Sequence, residues 1–282
     1  MQGLSRAVDH RPWQPSSVTE PPAQETASPE ERSFLRWLFR QRGLNAEHYR
    51  EQTLLRRLPA CLRALRVSSL QQARVMLQRS DELIEPALSA LLIGVTSFFR
   101  DPQVFEHLRQ RVLPMLAEQS GGRLRVWSIA CSDGAELYSV ALLLDELGIL
   151  QDAQLLGTDC RADAIARAQA GRFDLDAVRN ISQSMRQRHF TWADGQLQIS
   201  AHLRQRTQWR VSDVTKDSQG PGWNLLLCRN AIMYMRASVI CSVSERLEAA
   251  LAPRGVLVVG KAERPMGLRP MRLLAPCIYC RD

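Results

Sequence analysis

From about residue 123 onward, apolar runs of strand length alternate with stretches of helical periodicity, and no other pattern in the chain narrows its fold as much. The runs fall at 124–130, 155–158, 223–228 and 255–260. Helical stretches lie between them, reaching to about 147, to about 170 and over 237–251. This alternation predicts an α/β fold, a parallel sheet with helices on both faces. Two late apolar runs, 271–274 and 277–281, are placed to add an antiparallel edge. A short β-like insert is expected over about 189–211, with an Ala193-Asp194-Gly195 turn between Phe190-Thr191-Trp192 and Leu197-Gln198-Ile199.

The first third of the chain reads differently. Residues 1–30 hold five of the 14 prolines and almost no apolar periodicity, and are expected to form a flexible tail. Residues 31–93 read as a helical domain. Phe34, Leu35, Leu38 and Phe39 repeat at helical spacing up to Gly43, and Leu54, Leu55, Leu58, Leu62 and Leu65 repeat again. Pro59 falls inside that second run and, lacking an N–H, is expected either to open the helix or to kink it. Third and fourth helices are expected at about 69–79 and 81–93, with a linker and linker helix over 94–122.

Charge is uneven. The net charge is +8, and 35 of the 37 basic residues are Arg. Residues 31–93 alone carry 11 Arg against six acidic residues, +5 of that excess. Arg presents a planar fork to carboxylates and phosphates, so an anionic partner competes with simple codon bias as the explanation. No apolar run approaches the roughly 18 residues of a membrane span, and no signal segment opens the sequence, so a cytoplasmic location without membrane insertion is expected. Seven Cys without framework spacing read as reduced thiols. The lone pair Cys277 and Cys280 is a weak metal signal, and no metal site is expected.

In an open α/β sheet, ligands bind at the carboxyl ends of strands. After the first run comes Cys131-Ser132-Asp133-Gly134-Ala135-Glu136, a tight turn opening a helix but not a dinucleotide fingerprint. After the second comes Thr158-Asp159, a carboxylate placed for ribose hydroxyls. A strand at 209–212 is followed by Asp213, an acceptor suited to an adenine amino group, and run 223–228 by Arg229, Asn230 and Tyr234. Singly, each is an ordinary cap or turn residue. Together they fit a nucleoside carrying a cationic or amino group, the pattern of an S-adenosylmethionine (SAM) site. Upstream, Thr96-Ser97-Phe98-Phe99-Arg100-Asp101 is an unusual cluster, whose plainest reading is a hinge with its Phe pair in the core and Arg100 in solvent.

Over about 31–282 the sequence resembles the CheR family of chemoreceptor methyltransferases. The likeness is carried by Thr96 to Asp101, by Val126-Trp127-Ser128 through Tyr138-Ser139, by Thr158-Asp159, by Cys228-Arg229-Asn230-Ala231-Ile232-Met233-Tyr234-Met235 and by Gly260-Lys261-Ala262-Glu263, in family order. It implies a Rossmann-like SAM methyltransferase sheet with an N-terminal helical receptor-recognition domain and a small inserted antiparallel β-subdomain. It also implies methyl transfer from SAM to glutamate side chains on the cytoplasmic helices of a receptor. Carried over residue by residue, Arg100 and Tyr234 stand as catalytic. Thr96, Arg100, Glu136, Asp159, Asp213, Val214, Arg229 and Asn230 stand as cofactor-binding, and Arg57 and Arg63 as receptor-binding.

Several positions depart from the family pattern. Gly94 replaces an Asn, Ala135 a Glu, and Lys261 and Ala262 a His and Ser, while Asp213-Val214-Thr215 replaces Asn-Leu-Leu. A degenerate SAM-binding or scaffold module without methyl transfer is the alternative these departures raise. The short hairpin turn lacks the Gly-containing insertion of members that dock a receptor pentapeptide, so methylation without such a tether is expected. A nucleic-acid partner is not expected, because the basic region carries few aromatics for base stacking.

Overall fold

The computed structural model describes residues 26–92, 94, 96–264 and 271–282. Of the predicted tail, residues 1–25 lie outside the described residues. Its last residues are part of the fold. Ser28 Oγ accepts from Glu31 N, and the Glu31 carboxylate accepts from Ser28 N, a capping box that starts helix α1, Pro29–Arg40.

Helices α2 (Glu51–Leu65), α3 (Leu70–Arg79) and α4 (Ile84–Leu91) complete the N-terminal module, the last preceded by a 3-10 turn at Asp81–Leu83. Their apolar stripes meet in one core that includes Phe34, Leu38, Phe39, Leu58, Cys61 and Leu88. Pro59 does not open α2; it lies inside that helix on its exposed side, opposite the buried stripe Leu54, Leu58, Cys61 and Leu65. The linker helix is two α segments, α5 (Pro102–His107) and α6 (Leu113–Ser120), joined by a π turn at Leu108–Val112.

The remaining elements follow in chain order: β1 (Arg125–Ile129), α7 (Ala135–Glu146), β2 (Gln154–Asp159), α8 (Ala162–Ala170), β3 (Arg172–Phe173), α9 (Gln183–His189), β4 (Phe190–Ala193), β5 (Gln196–Ile199), α10 (Ala201–Arg204), β6 (Thr207–Val211), β7 (Trp223–Cys228), α11 (Ala237–Ala250), β8 (Leu251–Val259), β9 (Arg272–Ala275) and β10 (Ile278–Cys280). Seven strands form the large sheet in the order β6-β2-β1-β7-β8-β10-β9. The first five are parallel, and β10 runs antiparallel to both β8 and β9, the edge expected from the two late apolar runs.

The sheet is buried on both faces, as a parallel sheet requires. Val126 of β1 packs with Tyr138 and Val140 of α7 on one side, while Trp127 and Ile129 pack with Ile240, Val243 and Leu247 of α11 on the other. Strand order reverses at β1, between β2 and β7, which puts the ligand crevice at the carboxyl ends of these strands.

The small insert differs in extent from the sequence reading. Hairpin β4–β5 forms about the expected turn, with Asp194 (φ 48°) and Gly195 (φ 77°) supplying the two left-handed residues that a tight hairpin takes. Its third strand is β3, whose two residues carry no periodic signal. Strand β6 pairs with β2 in the large sheet, so the insert ends before residue 207 rather than at 211.

Candidate functional site

The carboxyl ends of β1, β2, β6 and β7 open onto one cleft enclosing about 1010 Å³, its open mouth included. Thr96, Arg100, Glu136, Asp159, Asp213, Val214, Arg229, Asn230 and Tyr234 all line it. The loop after β1 turns through left-handed φ at Ala130, Ser132 and Gly134 before α7 begins. At Gly134 (φ 87°) a Cβ would stand 2.4 Å from the Trp209 ring, so both backbone angle and space demand glycine. That turn sets Glu136 in the first turn of α7 and aims it at the sheet.

Glu136 is buried within a charge network. Its Oε1 accepts from Ser128 Oγ at 2.8 Å and its Oε2 from Arg229 Nη1 at 3.1 Å. Burial raises the Glu136 pKa, against the pull of Arg229 and Ser128. Arg229 also pairs with Asp101 at 2.7 Å and donates to the Arg100 carbonyl at 2.9 Å. Lys261, where the family pattern has His, completes the set by reaching Asp101 Oδ1 at 2.8 Å. Burial opposes ionisation of Asp101, but the Lys261 hydrogen bond and the charges of Arg229, Lys261 and Arg100 hold its pKa below the usual range.

Asp159 is more heavily bonded than a ribose acceptor would be in isolation. Oδ1 accepts from Arg161 N and Nε, both at 3.0 Å, and Oδ2 from Ser132 N at 2.9 Å and Arg161 Nη2 at 3.2 Å. Asp213 is more open. Its Oδ1 takes both Thr215 donors, at 2.9 and 2.7 Å, and its Oδ2 takes none among the described residues.

Glu263 was not singled out by sequence reasoning. Its carboxylate accepts from the backbone N–H groups of Asn230, Ala231, Met233 and Gly260, at 2.6, 2.7, 3.2 and 2.7 Å. It thereby holds the turn that carries Asn230 (φ 59°) and the 3-10 turn Ile232–Tyr234. The signal was the carboxylate at the end of the Gly260 to Glu263 block.

The N-terminal module forms one wall of the cleft, through Tyr49, Thr53, Leu54, Leu91 and Leu92. It is clamped to the Tyr234 segment. Arg50 N donates to Tyr234 O and Arg50 Nε to Met235 O, while Arg236 N donates to His48 O, at 2.9, 3.0 and 2.9 Å. No local pattern in the sequence marks these contacts, which join residues some 185 positions apart. Phe98 is fully buried and meets Phe173 and Phe190 edge-to-face, while the partly buried Phe99 packs against the same core on Phe105. Arg100, by contrast, is half-buried at the cleft rather than in open solvent.

Arg57 and Arg63 do not line the cleft. Arg63 is exposed on α2, whereas Arg57 is half-buried and donates through Nε to Ala90 O near the end of α4 at 3.2 Å. Arg56, seven residues before Arg63, shares its exposed face.

The donor set fits SAM. Carboxylates stand after β1, β2 and β6 around one cleft, and SAM carries amino and hydroxyl donors that call for such acceptors. Of the cleft's cations, Arg161 is engaged with Asp159 and Arg229 with Glu136, Asp101 and the Arg100 carbonyl, which leaves a poor site for a polyphosphate.

The CheR family profile, described as the CheR methyltransferase SAM-binding domain, matches residues 94–271. A chemotaxis protein methyltransferase of Listeria monocytogenes is 29% identical over 231 residues, covering 82% of this chain and 88% of that one. Chemotaxis protein methyltransferase 1 of Pseudomonas aeruginosa is 34% identical over 200 residues, covering 67% and 73%. The probable biofilm formation methyltransferase WspC of Pseudomonas putida is 30% identical over 260 residues, covering 89% of this chain and 61% of its own. The profile covers more than half of the chain and the relatives match most of it, so the chain belongs to the CheR family of SAM-dependent methyltransferases.

Proposed function

We propose that the chain transfers a methyl group from SAM to glutamate side chains on the cytoplasmic helices of a chemoreceptor or related sensory receptor. The observation that carries this reading is the meeting of three strand-end acids with Arg100 and Tyr234 around one cleft. When bound, SAM supplies an electrophilic methyl group on its sulfonium. Glu136 is placed for the amino group of its methionyl part, Asp159 for the ribose and Asp213 for the adenine, with Thr96, Val214, Arg229 and Asn230 completing the walls.

A surface glutamate has a pKa near 4.3, so at neutral pH it is already a nucleophile and the cleft need provide no general base. What remains is positioning and exclusion of water, which supplies several kcal/mol. Arg100 orients the incoming carboxylate from the cleft rim. Tyr234, fixed through its carbonyl by Arg50, offers its hydroxyl as a second point of contact. The exposed Arg residues of α2 present a cationic face to an acidic helical substrate.

The test is methyl incorporation into receptor-bearing membranes, followed by treatment with alkali. A glutamyl methyl ester releases methanol, whereas a methylated amine or base does not. Arg100→Ala and Tyr234→Phe are each expected to lower the alkali-labile signal at least about tenfold, as losses of a positioning contact do. A signal that survives both substitutions overturns the assignment. Trimming the receptor's terminal residues alone is expected to leave methylation unchanged, since the Ala193-Asp194-Gly195 turn is short.

A further inference from the structure

Arg161 carries a buried guanidinium, 5% exposed, on the wall of the cleft. It grips Asp159 as a fork, Nε to Oδ1 at 3.0 Å and Nη2 to Oδ2 at 3.2 Å, while its backbone N–H takes a second place on Oδ1. With Ser132 N on Oδ2, both oxygens of Asp159 accept two bonds each. A carboxylate has about four lone-pair sites, so none is left for a ribose. Beyond Asp159, the guanidinium's one further hydrogen bond among the described residues is a long one, Nη1 to Leu92 O at 3.5 Å.

Gly94 makes room for this arrangement. A Cβ there would lie 2.4 Å from Arg161 Nη1, 2.6 Å from Nη2 and 2.9 Å from Cζ. Space alone calls for a residue without a side chain at this position. Ser132 Oγ donates to Gly94 O at 2.6 Å, tying the same segment to the β1 loop. The small residue and the buried Arg are therefore two halves of one packing solution, and both face the position where the cofactor's sugar belongs.

We propose that Arg161 is a latch on the ribose subsite, holding Asp159 until the ribose hydroxyls of the cofactor displace its guanidinium, and that it thereby sets cofactor affinity. This rests on the assignment of the cleft to SAM. Its physical basis is competition. The hydroxyls must replace a charge-assisted fork at the same oxygens, and part of the binding free energy goes into opening it. Removing the fork leaves buried Asp159 with one backbone N–H on each oxygen and no countercharge, and two acceptor places that ligand hydroxyls can fill.

Calorimetry with S-adenosylhomocysteine on the full chain tests the latch. Arg161→Ala is expected to bind about tenfold more tightly than the wild-type chain, a gain that a purely structural role for Arg161 does not produce. Gly94→Ala keeps Arg161 but crowds its guanidinium, and is expected to tighten binding in the same direction. It serves as the independent variant if loss of the Arg destabilises the fold, which thermal denaturation reports. Unchanged or weaker binding in the folded variants overturns the latch. Glu136→Gln and Asp159→Asn mark the site: binding by the wild-type chain that neither substitution weakens overturns the SAM assignment, and the latch with it. A wild-type chain that does not bind beside an Arg161→Ala chain that does is the latch at full strength. Failure of both to bind overturns both readings.

Discussion

Arg229 Nη1 lies 3.1 Å from Glu136 Oε2, joining the carboxyl end of β7 to the first turn of α7 through two buried side chains. The same guanidinium holds Asp101. Arg229→Ala leaves buried Glu136 without a countercharge and Asp101 with Lys261 alone, and removing one partner of a buried pair typically costs about 3–5 kcal/mol. Thermal denaturation is expected to show a fall in Tm of about 10 °C, using the ordinary conversion for a chain of this size. A fall of less than about 2 °C would mean that water or a neighbour replaces the guanidinium, and that the network is not a structural unit.

Glu263 presents a different case, a carboxylate whose partners are all backbone. Four N–H groups converge on its two oxygens, and charged acceptors make the stronger hydrogen bonds. Glu263→Gln keeps the shape but turns an NH2 group toward donors, so at least one or two N–H groups lose their acceptor. A loss of about 2–3 kcal/mol is expected in urea unfolding. Faster amide exchange should concentrate at Asn230, Ala231 and Met233. Exchange that instead rises evenly across the sheet would show that Glu263 supports the whole fold rather than this turn.

Much of this architecture was legible because it is written in short-range patterns. Apolar runs of strand length marked β1, β2, β7 and β8, and the polar residues after β1, β2, β6 and β7 marked the cleft. What escaped was non-local. Strand β3 has two residues and exists through pairing with β5; β6 reads like a part of the insert until its pairing with β2 is seen. Tyr49 and Arg50 reach the Tyr234 segment through folding of distant chain, which no spacing reveals. The saturation of Asp159 by Arg161 was equally invisible: the Asp was read for the ligand it might hold, and the Arg two positions on carried no motif.

Asp133 gives a pH dependence whose sign can be worked out. Burial pushes its carboxyl up to about 6, against the Ala135 N–H and the charges of Arg167 and Arg161. In the unfolded chain an Asp titrates near 3.9, so between these values the folded state binds more protons. Its contribution to stability is therefore complete below about pH 4 and is lost as pH rises through about 6. Asp133→Asn removes that slope. Tm measured from pH 4 to 8 should show the variant gaining on the wild-type chain as pH rises, and a constant difference across this range would contradict the assignment.

The basic face of α2 yields a prediction that separates two neighbouring arginines. Arg56 and Arg63 are exposed on one side of the helix, whereas Arg57 is half-buried on the Ala90 carbonyl. If the exposed side meets acidic receptor helices, its charge acts on encounter rather than on chemistry. The double substitution Arg56→Glu with Arg63→Glu should lower kcat/KM for receptor methylation by about tenfold at low ionic strength. The deficit should shrink as salt screens exposed charges beyond about 10 Å at 0.1 M. SAM affinity, set across the cleft by residues this face does not contact, should stay the same. Arg57→Ala should act the other way, with a modest loss of Tm from the contact to α4 and little change in the salt dependence of methylation. Equal effects of both variants on that salt dependence would move the receptor-facing surface onto Arg57 as well, and with it the orientation of α2 toward the substrate.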